Sequence, residues 1–195
     1  MDKKKCIGAS LLLYCIHNNE MYILLGREIC YKQHKFKKKI FGWSDFGGRC
    51  EESEKDFECA IREFDEETLS LIPLFSSEKL PRFNLDQVKG YLKMGQYAFK
   101  IEFPIKENCC YTTFFKEIQF DKEIPNKFHK LYSKLYNFSK IDHPAYKFTI
   151  KPEYMEKNKL RWFSIPQITL AVQNNGNFPS EVHSEKLRDY FLIRI

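Results

Sequence analysis

Three glutamates at helical spacing are the residues of this chain best suited to chemistry. Glu63, Glu66 and Glu67 stand at positions i, i+3 and i+4, which places their carboxylates on one face of a helix. Like charges at these spacings repel each other, so the cluster opposes helix formation unless a cation lies among them. Oxygen ligands select hard divalent ions, and proteins usually hold Mg²⁺ with a few carboxylates and the phosphates of a substrate. The pattern therefore predicts a site for Mg²⁺ or Mn²⁺ and a phosphorylated substrate.

Further residues accompany the glutamates at fixed intervals. Five residues separate Gly48 from Glu54, seven separate Glu54 from Arg62, and Arg62 directly precedes Glu63. An isolated glutamate cluster is usually a solvated helix face, but chance agreement of all these intervals is remote.

The segment GRCEESEKDFECAIREFDEETLS, residues 48–70, resembles the Nudix box, G-x5-E-x7-R-E-U-x-E-E-x-G-U, in which U is a bulky apolar residue. It departs from the box at its last two positions, where Leu69 replaces Gly and Ser70 replaces an apolar residue. The matching residues are Gly48, Glu54, Arg62, Glu63, Phe64, Glu66 and Glu67.

The resemblance implies an α+β fold, an α/β/α sandwich with a mixed sheet, that hydrolyses a nucleoside diphosphate linked to a second group. Glu63, Glu66 and Glu67 would hold the metal, and the Gly48 carbonyl would be a further ligand. Arg62 and Glu54 would form an internal ion pair that braces the loop and the helix.

The reaction also needs a general base, which in the family is a box glutamate or a residue from a distant loop. Among the distal candidates, Glu156 is preferred to Glu153, and Glu117 is a poorer choice. For each of these three glutamates, an ordinary surface acid is the commoner role.

The charge of the chain is unevenly distributed. Lys+Arg number 32 and Asp+Glu 26, which gives a net charge of +6. Residues 51–67 contain nine acids and two bases, so this segment carries −7 and the remaining 178 residues, with 30 bases and 17 acids, carry +13. The basic remainder suits a polyanionic partner.

Two segments concentrate the lysines. Residues 31–39 hold five lysines, and residues 122–151 hold seven lysines interleaved with aromatic residues. The second segment is either a solvated amphipathic helix or a surface that follows phosphates and stacks on bases. The lysines proposed to contact substrate or RNA are Lys35, Lys37, Lys38, Lys39, Lys127, Lys130 and Lys134.

The substrate stays open at this point, between mRNA cap removal that releases m7GDP and hydrolysis of nucleotides, dinucleoside polyphosphates or diphosphoinositol polyphosphates. Residues 43–68 are similar to Nudix proteins of large cytoplasmic DNA viruses, some of which remove mRNA caps, and this favours capped RNA and a cytoplasmic location in the host. A module that only binds a nucleotide or a protein is a third reading, which the intact set of glutamates opposes. Trp43, Phe46, Tyr111, Phe114 and Phe115 could stack on a cap guanine, although core packing is the commoner role of such residues.

The sequence predicts one domain over residues 1–195, with a helical insertion at about 120–152, and no 18-residue apolar run that would cross a membrane. A hairpin is expected over 7–16 and 21–26, strands over 91–103 and 161–165, and a strand or a strand–helix junction over 111–120. A buried helix face is expected to include Phe57, Ala60, Ile61 and Phe64. Further helices are expected over 122–140, with a stripe of Phe128, Leu131, Leu135 and Phe138, after Pro166, and over 184–193.

Seven cysteines without a C-x-x-C pair indicate reduced thiols rather than a zinc site or a disulfide framework. His34, His129, His143 and His183 have no metal-ligand spacing. The oligomeric state cannot be predicted from the sequence.

Overall fold

The structure, a computed structural model, describes residues 5–31, 39–72, 97–140, 152–178 and 185–194. Its strands are β1 (Lys5–His17), β2 (Glu20–Tyr31), β3 (Lys39–Ser44), β4 (Phe46–Arg49), β5 (Phe99–Lys106), β6 (Cys109–Glu117), β7 (Lys157–Ser164) and β8 (Glu185–Leu187). Its helices are α1 (Asp56–Glu67), α2 (Ile124–Ser139), α3 (Ile165–Gln173) and α4 (Asp189–Leu192), with a 3₁₀ turn over Pro152–Met155.

Strands β1 and β2 form the predicted hairpin, although both extend beyond the predicted bounds. Asn18 and Asn19 make the two-residue turn between them with φ of 51° and 61°. This left-handed backbone suits a tight hairpin turn, and asparagine tolerates it better than most residues.

The mixed sheet branches at β1 and β2. The main strand order is β5-β6-β1-β2-β3-β8, while β4 also pairs with β1 and β7 also pairs with β2. The pairs β1–β6 and β3–β8 are parallel, and the others are antiparallel. All four residues of β4, Phe46–Arg49, pair with β1, and six residues then lead to α1, which begins at Asp56.

Alternate side chains of the central strands point to opposite faces of the sheet, so that two cores form. On one face, Leu11, Leu13 and Leu24 pack with residues of α1 and α2. On the other face, Leu12 and Leu25 pack with residues of α3 and α4. Helices therefore cover both faces, and the predicted α+β sandwich with a mixed sheet is confirmed.

Helix α1 begins with a local hydrogen bond and ends in a left-handed turn. The Lys55 N–H donates to Glu58 Oε2 at 3.1 Å, and the acids of the first turn complement the helix dipole. After Thr68, the residues Leu69 and Ser70 adopt φ of 58° and 53°. Leu69 stands where the box has glycine. Its left-handed backbone costs about 1 kcal/mol of stability, and the burial of its side chain offsets this cost.

The predicted helix over 122–140 is confirmed as α2, with Pro125 in its first turn. Phe128 is buried and Leu131 and Leu135 are half-buried, but the expectation for Phe138 is wrong, since 59% of this side chain is exposed near the end of the helix. Strand β7 and helix α3 also confirm the expectations for 161–165 and Pro166.

The predicted helix over 184–193 is wrong in its first half. Residues Glu185–Leu187 form β8, which pairs in parallel with β3 and buries Leu187, and only Asp189–Leu192 are helical. The strand predicted over 91–103 is observed from Phe99 to Lys106, and residues 91–96 lie outside the described ranges. Across the described residues, none of the helices is long and apolar enough to span a bilayer.

Candidate active site

Helix α1 brings the three glutamates to its side that faces β4. Glu67 is 3% exposed, and its Oε2 accepts a hydrogen bond from the Gly47 N–H at 2.9 Å. Glu63 lies one turn nearer to the start of the helix and Glu66 directly precedes Glu67, and their side chains are 15% and 17% exposed. These three glutamates, called the acid face below, thus lie against the Gly47-Gly48 backbone instead of projecting into solvent.

Gly48 is in close contact with the Glu63 carboxylate. A Cβ atom on Gly48 would lie 2.5 Å from Glu63 Oε1 and 2.6 Å from Oε2. Gly48 also pairs with Ala9 of β1, so the sheet fixes its backbone. Glycine leaves this space to the carboxylate, which a side chain at this position would displace.

Arg62 connects the loop between β4 and α1 to the acid face. Its Nε and Nη2 donate to the two carboxylate oxygens of Glu54, each at 3.0 Å, and its Nη1 donates to Glu63 Oε1 at 2.9 Å and Glu66 Oε2 at 3.2 Å. Nη2 also donates to the carbonyl of Arg49 at 3.1 Å. Although burial opposes ionisation of Glu54, the hydrogen bonds from Arg62 and the backbone lower its pKa. The pair brings together the two residues that the sequence analysis expected to brace the loop.

Glu156 joins the acid face from a different part of the chain. It directly precedes β7, and its charge interacts with those of Glu63, Glu66 and Glu67. Glu153 lies near Glu156 in the preceding 3₁₀ turn.

Glu117 is placed elsewhere in the sheet. It pairs with Tyr14, five residues along β1 from the partner of Gly48, which corresponds to about 17 Å. Among the distal candidates, the geometry therefore favours Glu156 over Glu117 as a general base.

The sequence analysis missed two residues of this site, Lys157 and Glu28. The Lys157 ammonium is 1% exposed and lies 3.3 Å from Glu67 Oε1 and 3.8 Å from Glu28 Oε1, and it donates to Ser44 Oγ at 2.7 Å. Burial opposes the charge of Lys157, but the surrounding carboxylates outweigh it and raise the pKa of its ammonium. Lys157 thus balances part of the negative charge behind the acid face.

A register shift in β2 explains why these two residues meet. The pairing with β7 shifts between Arg27 and Glu28, and the shift places Glu28 opposite Lys157. The only signal in the sequence was the position of Lys157, directly after Glu156.

The carboxyl groups of Glu63, Glu67 and Glu156 have raised pKa values. Burial raises the pKa of Glu67 to about 8, against the opposing effect of Lys157. Burial also raises the pKa of Glu63, against the effect of Arg62, and desolvation raises that of Glu156. Crowded, partly desolvated carboxylates favour a nearby cation, so this set of oxygen donors fits a hard divalent ion.

A cavity of about 580 Å³ adjoins the site, and Gly47 and Gly48 form part of its wall. Aromatic and aliphatic side chains of β5, β6 and the C-terminal segment form most of its wall. The lining residues used below are Phe103, Ile105, Tyr111, Tyr190 and Arg194. Its size and apolar lining are typical of small-molecule binding sites.

The structure describes only some of the predicted RNA-contacting lysines. Lys127, Lys130 and Lys134 are exposed on α2, and Lys127 is paired with Asp121 at 2.9 Å. Lys39 begins β3, while Lys35, Lys37 and Lys38 lie outside the described residues, as do His34, His143 and His183.

The aromatic residues considered for stacking divide into two groups. Trp43, Phe46 and Phe114 are at most 2% exposed and belong to the core, so they cannot stack on a guanine. Phe115 is half-buried and stacks on Phe99. Tyr111 alone among them lines the cavity.

Alanine substitutions at Gly48 and Gly47 are expected to have different consequences. Gly48→Ala should displace the flexible end of Glu63, lower the affinity for Mn²⁺ about 10- to 100-fold and change the stability by less than about 1 kcal/mol. A Cβ on Gly47 would instead overlap the Ala9 carbonyl oxygen and the Ser10 backbone, which should cost about 1–3 kcal/mol of stability. Mn²⁺ titration and urea denaturation of both variants test this, and equal effects of the two substitutions on both measurements would contradict it.

No protein-family model matches the chain. Over 78 residues the chain is 40% identical to an uncharacterised protein of Acanthamoeba polyphaga mimivirus. The match covers 40% of this chain and 23% of that protein, so the chain spans about a quarter of the length of this relative.

Similar solved structures have low sequence identity to the chain. The Ap4A hydrolase of C. elegans in a binary complex is 13% identical, with 84% of each chain covered and a TM-score of 0.38. A MutT/nudix family protein from Enterococcus faecalis is 13% identical over 84% of this chain and 45% of that chain, with a TM-score of 0.37. A NUDIX family hydrolase from Clostridium perfringens is 16% identical over 100% of this chain and 94% of that chain, with a TM-score of 0.33.

Proposed function

We propose that the chain is a divalent-metal-dependent hydrolase that cleaves a pyrophosphate bond in a nucleotide-containing substrate. The observation that carries this proposal is that Glu63, Glu66 and Glu67 share the face of α1 toward the Gly47-Gly48 backbone and that Glu156 lies near enough to interact with their charges. The carboxyl pKa values of Glu63, Glu67 and Glu156 are raised, which favours a bound cation. The match of residues 48–67 to the Nudix box supports the same reaction class.

Glu63, Glu66 and Glu67 would hold Mg²⁺ or Mn²⁺, with the Gly48 carbonyl as a further ligand. Bound there, the ion would neutralise pyrophosphate charge and lower the pKa of a water molecule. Arg62 keeps the Glu63 and Glu66 carboxylates oriented through its Nη1, while its pair with Glu54 holds the loop after β4 close to α1.

Glu156 is the proposed general base. It lies near the acid face but belongs to a different part of the chain. Because it is not one of the proposed metal ligands, it can accept a proton while those ligands keep the ion bound. Its raised pKa brings it closer to neutral pH, where a general base is most effective.

The cavity beside Gly48 would receive the nucleoside of the substrate. Its wall includes Phe103, Tyr111 and Tyr190, and aromatic rings bind nucleobases by stacking. A nucleoside bound there would have its phosphates directed toward Gly48 and the acid face. Pyrophosphate cleavage requires this placement, because the bond that breaks must lie beside the metal.

For the particular substrate, we propose the cap of mRNA, released as m7GDP. The exposed lysines of α2, which are Lys127, Lys130 and Lys134, and the net charge of +13 outside residues 51–67 would bind the phosphates of a long RNA. The mimivirus relative supports a viral origin, in which case the enzyme would act in the host cytoplasm.

Hydrolysis of a small nucleotide, a dinucleoside polyphosphate or a diphosphoinositol polyphosphate is the alternative. The cavity also favours this alternative. Its volume of about 580 Å³ accommodates one nucleoside, and binding there does not require a polymeric substrate. The two substrates differ in whether α2 takes part in binding.

A substrate panel with cap-labelled RNA, free m7GpppG and small nucleotides, assayed with Mg²⁺ and Mn²⁺, tests the proposal. Decapping predicts release of m7GDP, competition by uncapped RNA and a steep loss of binding with salt. The double variant Lys130→Glu/Lys134→Glu should lower kcat/KM for long capped RNA by about tenfold or more and leave small-substrate turnover unchanged.

Lys5→Glu/Lys106→Glu is the matched control, because it makes the same change of charge at exposed residues of β1 and β5. If free m7GpppG is cleaved as well as long capped RNA and charge reversal in α2 has no effect, the decapping proposal fails while the hydrolase proposal stands. A chain that cleaves no pyrophosphate substrate with either metal contradicts both.

A further inference from the structure

A group of thiols lies beneath the loop that follows β4. Cys50 directly follows this strand, and Cys59 belongs to the second turn of α1. One sulfur from each of them and one carboxylate oxygen of Glu54 all lie within 4.8 Å of one another. The Cys50 thiol also interacts with the thiol of Cys6 on β1. Three cysteines from three parts of the chain therefore meet at one place.

The surroundings of this group are closed rather than solvated. Cys59 is fully buried, Cys6 and Cys50 are half-buried against the core, and the Glu54 side chain is 13% exposed. Cys50 and Glu54 belong to the loop after β4 and Cys59 belongs to α1, so an ion held between them would connect the loop to the helix.

The donor atoms favour an ion of a different kind from the one that suits the acid face. Thiolates bind Zn²⁺ and similar soft or borderline ions, whereas Mg²⁺ and Mn²⁺ prefer oxygen. Zn–S bonds of about 2.3 Å in a tetrahedral site place two sulfurs about 3.8 Å apart. The sulfurs of Cys50 and Cys59 reach that separation with shifts of about 1 Å or less.

The local charges also suit a divalent ion. Arg62 Nη2 lies 4.0 Å from Cys59 Sγ and donates to Glu54. With Cys50 and Cys59 as thiolates and Glu54 ionised, a divalent ion and the Arg62 guanidinium together make the group electrically neutral. A buried group that is neutral when loaded avoids the cost of an unpaired buried charge.

We propose that Cys50, Cys59 and Glu54 form a Zn²⁺ site that fixes the loop after β4 to α1, with the Cys6 thiol beside it. This site is separate from the acid face in chemistry and ligands, and it does not depend on the proposed hydrolase activity. Spacing concealed it from the sequence analysis, because Cys50 and Cys59 are nine residues apart and form no C-x-x-C pair.

Co²⁺ is the sharpest probe, since thiolate ligation gives a sulfur-to-cobalt charge-transfer absorption that carboxylate ligation does not. The reduced protein should bind one equivalent with this absorption, and Zn²⁺ should displace it. Cys50→Ser and Cys59→Ser should each lower the affinity more than about 100-fold. Zn²⁺ should raise the melting temperature of the unaltered chain but not of Cys59→Ser.

Two control variants distinguish this site from other metal binding. Cys15→Ser removes a buried thiol of β1 outside the group and should keep the absorption, as should Glu63→Gln/Glu66→Gln, which disables the acid face. Circular dichroism checks the fold of each variant, and Cys50→Ser, at a half-buried position, keeps the test informative if Cys59→Ser unfolds. Absence of the charge-transfer absorption in the reduced protein, or its persistence in folded Cys50→Ser, overturns the proposal whether or not hydrolysis is observed.

Discussion

Glu66→Gln is expected to lower kcat/KM for pyrophosphate cleavage by about 10³-fold, because it removes a carboxylate from the face that would hold the metal. Glutamine is isosteric with glutamate and still accepts the hydrogen bond from Arg62 Nη1, which is 3.2 Å from Glu66 Oε2. The fold should therefore persist, and loss of one charge from a mutually repelling cluster should leave the melting temperature unchanged or slightly raised. Mn²⁺ titration, initial rates with Mg²⁺ and a thermal melt measure the three quantities.

Glu52→Gln is the matched control for this experiment. Glu52 is an exposed residue of the same segment, in the turn between Gly48 and α1, and its substitution removes the same charge. It should retain nearly full rate and metal affinity. If Glu66→Gln performed as well as Glu52→Gln in both measurements, the metal role assigned to the acid face would be wrong.

The elements that the sequence predicted well are those whose own residues carry a periodic pattern. The hairpin of β1 and β2 shows two apolar runs around a turn, and α1 and α2 repeat apolar residues every three or four positions. The prediction over 184–193 was wrong because Glu185–Leu187 is a strand only through its parallel pairing with β3. Three residues are too short to show a period, so pairing with a distant strand decides their structure.

The candidate site divides in the same way. The spacing of Glu63, Glu66 and Glu67 follows from helix geometry, which the sequence determines locally. Lys157 and Glu28 were missed because a shift in the pairing of β2 and β7 brings them together, and such a shift leaves no pattern in either strand. A single lysine or glutamate in a sequence shows nothing of the burial that makes it important here.

The Leu69 position shows how local preference and packing compete. The backbone after α1 is left-handed, and this explains why glycine suits the corresponding position of the Nudix box. Leucine adopts the same φ here because its side chain joins the core. The departure from the box therefore changes how the turn is stabilised and keeps its direction.

A buried ion pair connects the C-terminal segment to the connection between β3 and β4. Asp45, which lies between β3 and β4, receives hydrogen bonds from both Nη atoms of Arg194 at 2.8 and 2.9 Å. The two side chains are 2% and 5% exposed. Arg194 also lies over the ring of Tyr111, with 4.3 Å between Cζ and the ring centroid, so the pair supports one wall of the cavity as well.

Asp45→Asn is expected to lower the free energy of unfolding by about 3–5 kcal/mol, because it leaves the guanidinium of Arg194 buried without a countercharge. Asp121→Asn is the control, since Asp121 pairs with Lys127 at the surface and its loss should cost less than about 1 kcal/mol. The double variant Asp45→Asn/Arg194→Gln should recover part of the loss, because it removes the unpaired charge and keeps polar partners for Ser10 and Thr113. Urea denaturation of the three variants measures the effect. Equal losses of unfolding free energy for Asp45→Asn and Asp121→Asn would contradict this prediction. They would mean that water solvates the Arg194 guanidinium when its partner is removed. Packing rather than charge would then hold the C-terminal segment against the site.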